Sequence, residues 1–178
     1  MKIWLFCIIN LLILMVKYQY IQNVIQNNKQ LLFTRKYVLG VQVRMGGCLA
    51  DYHEKAQMMT MAQLRSYPNT IVKVMRKWNY DSNNTVIYLS TDSSYAERYI
   101  RQKLGPNYEI GVAKTFKRSH SRNLGNDEPV KNALVDLYLL ADTDGLIVCE
   151  GSGFGRVALS ITRARHTRIY KVTHSIIP

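Results

Sequence analysis

Cysteines and acidic residues are scarce in this chain. Cys7, Cys48 and Cys149 are odd in number and lack metal-ligand spacing, so neither a disulfide framework nor a zinc site is expected. Against 24 lysines and arginines stand 12 aspartates and glutamates, which gives a formal net charge of +12. This excess predicts an anionic partner, and composition does not choose among nucleic acid, anionic lipid and a phosphorylated or nucleotide substrate.

An apolar run of full membrane-spanning length is also lacking. Residues 3–16 are apolar except for Asn10, but the run is shorter than the roughly 20 residues of most membrane spans. It fits the apolar part of a secretory signal better, although a buried first helix is an alternative. We therefore expect residues 1–33 to be a signal-anchor or signal segment with a helical stalk, and residues 34–178 to form one domain.

Apolar runs and helical repeats alternate through this domain. Short apolar runs predict strands at residues 37–45, 85–89, 108–112, 146–149 and 169–172. Helical spacing predicts a helix from Pro68 to about Trp78, a second at 95–104 capped by Ser93 or Ser94, and a third around 132–141. Strands that alternate with helices indicate a three-layer α/β sandwich around a parallel sheet.

A glycine-rich turn follows the strand at 146–149. Residues 150–156 read EGSGFGR, and glycines at alternate positions let backbone N–H groups approach a ligand closely. The helix that should start after them would direct its positive end at the same point, as in a phosphate site. A tight structural turn is the equally weighted alternative.

Two further polar side chains follow predicted strands. Arg44 follows the first strand and Asp92 the second, so both should meet Ser152 at one edge of a parallel sheet. Arg44 could hold a phosphate bidentately or form a surface salt bridge. Asp92 could accept hydrogen bonds from a ribose or from basic groups, or it could serve only the turn.

Two loops carry less specific signals. The basic loop at residues 114–126 could be a flap over an anionic substrate or simply a solvated loop. Asn83-Asn84-Thr85 is an N-glycosylation sequon, which would make the chain a glycoprotein if the domain is lumenal.

Three of these segments together resemble the motifs of a known superfamily. They read GVQVRMGG, YLSTDSS and LVDLYLLADTDGLIVCEGSGFGR, and their order and approximate spacing are similar to those of the α1,6-, α1,2- and protein O-fucosyltransferases. The match covers roughly residues 37–160. The resemblance implies a Rossmann-like domain that is one half of a GT-B fold. It also implies that GDP-fucose is the donor, and that fucose is transferred with inversion and without a required metal or other cofactor.

The resemblance also implies roles for individual residues. Arg44 would contact the β-phosphate and stabilise the leaving GDP, so it is the expected catalytic residue. Gln42 stands where the superfamily has a histidine that contacts the nucleotide. Met45-Gly46 replaces the basic and acidic residues that often follow the arginine. The remaining expected contacts to the GDP-sugar come from four residues: Asp92 near the nucleotide, Asp136 near the guanine, and Ser152 and Gly153 at phosphate oxygens, with Gly153 in place of a glutamine typical of the α1,6 group.

Partners and location follow from the same resemblance. The expected acceptor is a glycan or glycoprotein in the lumen of the Golgi or endoplasmic reticulum, with the chain a type II membrane protein or secreted. About 34 residues precede the domain, too few for a GT-B acceptor domain. The chain is therefore expected to be part of a longer enzyme or an inactive nucleotide-binding module.

A nucleic-acid-binding domain is the weakest alternative, because the basic residues lie in loops and the C-terminus without interleaved aromatics. No general base can be assigned, and Asp51, Glu54 and Glu150 are candidates by residue type only.

Overall fold

A computed structural model describes residues 18–46, 50, 57–113, 128–149, 152–163 and 168–172, with the backbone alone at 128, 129 and 163. The predicted segment at residues 1–17 and the basic loop at 114–126 lie outside these ranges. In chain order the elements are α1 (residues 18–32), β1 (Tyr37–Val43), α2 (Met61–Trp78), β2 (Thr85–Thr91), α3 (Ser94–Leu104), β3 (Glu109–Gly111), α4 (Glu128–Ala141), β4 (Gly145–Cys149), α5 (Gly153–Arg163) and β5 (Arg168–Val172).

The five strands form one sheet in the order β3-β2-β1-β4-β5, and every pair of neighbours is parallel. β4 is buried along its whole length, as predicted for a strand covered on both faces. The predicted Rossmann-like α/β fold with a parallel sheet is thereby confirmed. The strand order places β1 at the centre, between β2 and β4.

Side chains of β1 alternate between two hydrophobic cores, as the pleat of a strand requires. Leu39, Val41 and Val43 belong to the core that α2 and α3 cover. Val38 belongs to the core that α1, α4 and α5 cover. The helices therefore form the two outer layers of the predicted three-layer sandwich.

The start of α2 differs from the sequence prediction, which placed Pro68 at the first turn. The helix begins at Met61, and Pro68 lies inside it. Thr60 and Gln63 form a capping box, in which Thr60 Oγ1 accepts from the Gln63 amide at 3.2 Å and Gln63 Oε1 accepts from the Thr60 amide at 2.6 Å. This local signal fixes the helix start upstream of the proline. The predicted cap of α3 is confirmed at Ser93, whose Oγ accepts from the Ala96 amide at 3.3 Å.

The predicted helical segment before the domain lies against the sheet. Ile25 of α1 is buried in the core of α4 and α5. Lys29 forms an ion pair with Asp142, just beyond the end of α4. No helix within the described ranges is long and apolar enough to cross a bilayer.

Candidate functional site

The central strand β1 marks a crevice at the carboxyl edge of the sheet. The ladder between β1 and β2 continues to the pair Val43–Thr91, whereas the ladder between β1 and β4 stops at Val41–Ile147. The helices that follow β1 and β4, α2 and α5, cover opposite faces of the sheet. Such a reversal of strand order is the switch point at which open α/β sheets bind ligands.

Gln42 lies in this crevice and joins its two sides. Its side chain is almost fully buried, and its Oε1 accepts a hydrogen bond from the Cys149 amide at 3.0 Å. The side-chain carboxamide of Gln42 thus accepts the hydrogen bond that the Cys149 amide would otherwise donate to the backbone of β1 in a continued ladder. Because Cys149 N–H is a donor, the atom that faces it must be the oxygen, which leaves the NH2 group of Gln42 as the remaining polar group.

Arg44 and Asp92 meet at the same edge, as their positions after β1 and β2 predict. Arg44 Nη1 lies 3.3 Å from Asp92 Oδ2, and the exposed side-chain fractions are 20% for Arg44 and 4% for Asp92. Asp92 also accepts from two backbone amides, Met45 at 2.8 Å and Gly46 at 3.0 Å. Of the alternatives weighed for Asp92, contacts to a basic group and to the turn are both present.

Ser152 starts α5 at the carboxyl end of β4. Its Oγ accepts from the Gly155 amide at 3.3 Å and its carbonyl oxygen accepts from the Arg156 amide at 2.9 Å, which is the geometry of a helix N-cap. The amides of Gly153 and Phe154 come first in the helix, where no intrahelical partner exists. Those two amides are available to an anion at the positive end of the helix.

Two glycines of this turn have a different placement from the one predicted, and the third, Gly151, lies outside the described residues. We expected the helix to start after them, but Gly153 and Gly155 both lie within its first turn. A Cβ at Gly155 would lie 2.4 Å from the Cys149 carbonyl oxygen and 2.9 Å from Val148 Cγ2. Gly155 therefore permits close packing of α5 on β4, whereas a Cβ at Gly153 would meet no atom within 4 Å.

Asp136 lies on α4, beside the crevice rather than at a strand end. Its carboxylate accepts from the Tyr88 hydroxyl at 2.6 Å and from Ser90 Oγ at 3.0 Å. Ser90 is the register partner of Gln42, so this cluster adjoins the crevice. Burial, followed by the charge and hydrogen bond of Asp136, raises the pKa of Tyr88 well above its usual value.

Sequence reasoning missed Tyr88, Ser90 and the packing role of Gly155. A signal for the first two exists, because hydroxyl residues at positions 88 and 90 of β2 interrupt the apolar face toward α4. The candidate bases Asp51, Glu54 and Glu150 lie outside the described residues. Within the described ranges, no group of three or more histidine, cysteine or carboxylate side chains could hold a metal ion.

The crevice therefore collects donors for an anion. Arg44 supplies a guanidinium, α5 supplies its first two amides, and Gln42 supplies a carboxamide NH2. A preorganised guanidinium and helix N-terminus stabilise negative charge on a bound or departing phosphate. The donor set, together with the neighbouring Asp136 cluster, suits a nucleoside phosphate.

The strand order and the switch-point crevice define a Rossmann-like fold. Solved fucosyltransferases share it. The chain is similar to the NodZ α-1,6-fucosyltransferase of Bradyrhizobium co-crystallized with GDP, with a TM-score of 0.53 and 22% identity over 79% of this chain and 41% of that one. The expected resemblance to the fucosyltransferase fold is confirmed.

Two other fucosyltransferase structures match similarly. A mutant of Arabidopsis thaliana FUT1 in complex with GDP gives a TM-score of 0.55 and 14% identity over 87% of this chain and 33% of that one. POFUT1 in complex with GDP gives a TM-score of 0.52 and 11% identity over 86% of this chain and 46% of that one. This chain thus spans less than half the length of each of the three proteins. No protein-family profile and no curated protein sequence matches it.

Proposed function

We propose that this chain is the donor-binding half of a glycosyltransferase, and that its donor is GDP-fucose. One observation supports this most directly. Arg44 follows β1 and Ser152 with the start of α5 follows β4, the two strands at the switch point, in a fold that three fucosyltransferases share, each of them solved with GDP.

In the proposed complex the diphosphate lies between Arg44 and the first amides of α5. Arg44 contacts the β-phosphate, Ser152 and Gly153 hold phosphate oxygens, and Gln42 donates its NH2 group to the nucleotide. Asp136 lies on the guanine side, as its place beside Ser90 and Gln42 allows. This assignment requires no metal and no other cofactor.

The proposed reaction is inverting transfer. The bond between fucose C1 and the β-phosphate oxygen breaks as an acceptor hydroxyl oxygen bonds to C1 from the opposite face. The acceptor proton goes to a general base, for which no residue is assigned. GDP departs with one more negative charge than the diphosphate carries in GDP-fucose. Arg44 and the helix N-terminus stabilise that charge, which is the type of contact that contributes most to such rate enhancements.

Transfer also requires an acceptor site. Because the chain spans less than half of each fucosyltransferase it resembles, we propose that a second domain binds the glycan or glycoprotein acceptor. A lumenal location in the Golgi or endoplasmic reticulum, with residues 1–17 as anchor or signal, belongs to the same proposal. The alternative is a module that binds the nucleotide without transferring sugar.

Calorimetric titration of the purified chain with GDP, GDP-fucose, UDP and ADP tests the proposal. We expect the guanine nucleotides to bind selectively and Arg44→Ala to weaken them about tenfold or more, because a charge-assisted hydrogen bond contributes about 1.5–3 kcal/mol. Arg35→Ala is the matched control, since Arg35 pairs with Glu109 before β1, away from the crevice.

Three results would decide between the interpretations. Selective binding of guanine nucleotides that Arg44→Ala weakens about tenfold or more supports the donor site. Binding that survives Arg44→Ala shows that the diphosphate lies elsewhere. A folded chain that binds none of the four nucleotides contradicts the donor-site proposal and the nucleotide-binding module alike.

A further inference from the structure

We propose that Asp92 is a positioning residue for Arg44 and not a ligand of the nucleotide. This inference rests on the proposed function, because it concerns how the phosphate-binding arginine is held. It differs from the role that the sequence motif implies for Asp92, which was a place near the nucleotide.

Both carboxylate oxygens of Asp92 are already engaged by the chain that leaves β1. Oδ1 accepts from the Met45 amide at 2.8 Å, and Oδ2 accepts from the Gly46 amide at 3.0 Å while lying 3.3 Å from Arg44 Nη1. A single side chain thus holds three consecutive residues. With 4% of its side chain exposed, Asp92 presents almost no surface to a ribose.

The carboxylate itself lies on a rigid junction. Asp92 sits between β2 and α3, where Ser93 caps the helix and donates its amide to Thr91 Oγ1 at 3.2 Å. A group placed by two packed elements holds its partner more precisely than a group on a loop. Asp92 therefore holds Arg44 in a fixed position relative to the junction of β2 and α3.

Arg44 needs such a support because it lies just beyond the last residue of β1. An arginine side chain carries about 2 kcal/mol of rotamer entropy, and a ligand must otherwise supply what is lost on ordering it. The ion pair with Asp92 orders the guanidinium before the nucleotide arrives. Preordering raises the affinity for the phosphate without any contact between Asp92 and the ligand.

The backbone turn has a second support, so its structure does not depend on Asp92 alone. The Met45 carbonyl oxygen accepts from the amides of Met58 at 2.9 Å and Met59 at 3.1 Å. Gly46 adopts a φ of 61°, a left-handed conformation that glycine tolerates without strain. Loss of the Asp92 charge should thus release the arginine more than it disturbs the turn.

The test compares binding of GDP and guanosine, which lacks the phosphates, to Asp92→Asn. We expect GDP affinity to fall about tenfold or more, close to the loss in Arg44→Ala, because a charge-assisted contact to the phosphate is no longer prepared. Guanosine affinity should stay unchanged. In the double variant Asp92→Asn/Arg44→Ala, GDP affinity should fall no further than in Arg44→Ala alone.

Asp81→Asn is the matched control, because that exposed aspartate likewise accepts from a backbone amide, Asn83 at 3.0 Å, in a surface turn. Asp92→Glu keeps the buried charge and displaces the guanidinium, so it provides the same comparison if Asp92→Asn does not fold. A parallel loss of guanosine and GDP affinity, additive with Arg44→Ala, would show direct contact and overturn the proposal. If Arg44→Ala alone leaves GDP binding intact, the donor-site proposal fails instead.

Discussion

At the scale of single residues, two tyrosines illustrate how burial changes chemistry. Tyr67 and Tyr88 are both fully buried, on opposite faces of the sheet. Burial is the main cause that raises the pKa of each hydroxyl well above its usual value, with Cys149 adding to the shift of Tyr67 and Asp136 to that of Tyr88. Neither hydroxyl should ionise while the protein remains folded at moderately alkaline pH.

This shift predicts a loss of stability at high pH. In the unfolded chain each tyrosine ionises near pH 10, so the stabilisation is complete below pH 10 and is lost as the pH rises toward the folded-state pKa. The free energy of unfolding in urea should therefore fall above pH 10, and it should fall less steeply in Tyr67→Phe/Tyr88→Phe. Tyr95→Phe, which removes an exposed hydroxyl, is the control. If the free energy of unfolding fell equally steeply with pH in the double variant and the wild type, the two buried tyrosines would not be the cause of the loss.

At the scale of elements, the contact between β4 and α5 defines one side of the crevice. The atoms that Gly155 faces are the Cys149 carbonyl oxygen, Val148 Cγ2 and Gln42 Oε1, which lies 3.0 Å from a Cβ built there. The first of these is backbone and cannot move away easily. The absence of a side chain at Gly155 is thus what sets the separation of helix and strand.

Two glycine substitutions in the same helix turn test this contact. Gly155→Ala should lower the free energy of unfolding by about 1–3 kcal/mol, because the added methyl group overpacks a closed interface. Gly153→Ala should change it by less than about 0.5 kcal/mol or raise it slightly, since its Cβ meets open space and alanine favours helix. Thermal and urea unfolding measure both, and equal effects at the two positions would show that the contact does not constrain α5.

At the scale of the whole molecule, positive charge is distributed unevenly. α2 carries four exposed cations and no acidic residue, and within the described residues none of these cations forms an ion pair: Arg65, Lys73, Arg76 and Lys77. Its last turn lies near the amino ends of the strands, since Trp78 packs against Gly145 at the start of β4. The seven residues of β1 separate that end from the crevice by roughly 20 Å.

Charge at that end should not contribute to nucleotide binding. At 0.15 M salt the Debye length is about 8 Å, so Arg76 and Lys77 are screened from a ligand in the crevice. We expect Arg76→Gln/Lys77→Gln to leave the affinity for GDP, measured by calorimetric titration, within about twofold of the wild type. A loss of GDP affinity as large as that of Arg44→Ala would mean that overall charge, rather than the crevice, attracts the nucleotide.

Much of the local structure could be predicted from the sequence. Apolar runs and helical spacing located the five strands and the helices between them, because side-chain burial on a regular element leaves a period of two or 3.6 residues. The predicted start of α2 at Pro68 was wrong, because the capping box of Thr60 and Gln63 starts the helix at Met61. The grouping of Arg44, Asp92 and Ser152 at one edge followed from parallel strands alone.

The sequence by itself thus determined the alternation of elements, the parallel sheet and the residues at its carboxyl edge. Only the tertiary structure decided the strand order, the hydrogen bond from the Cys149 amide to Gln42 Oε1 across 107 positions and the contacts of Asp92 with the turn after β1, 46 and 47 positions away. The physical reason is that periodicity reports which face of an element is buried and not which neighbour covers it. Partners so distant in the chain are chosen when the sheet assembles, and no local pattern records that choice.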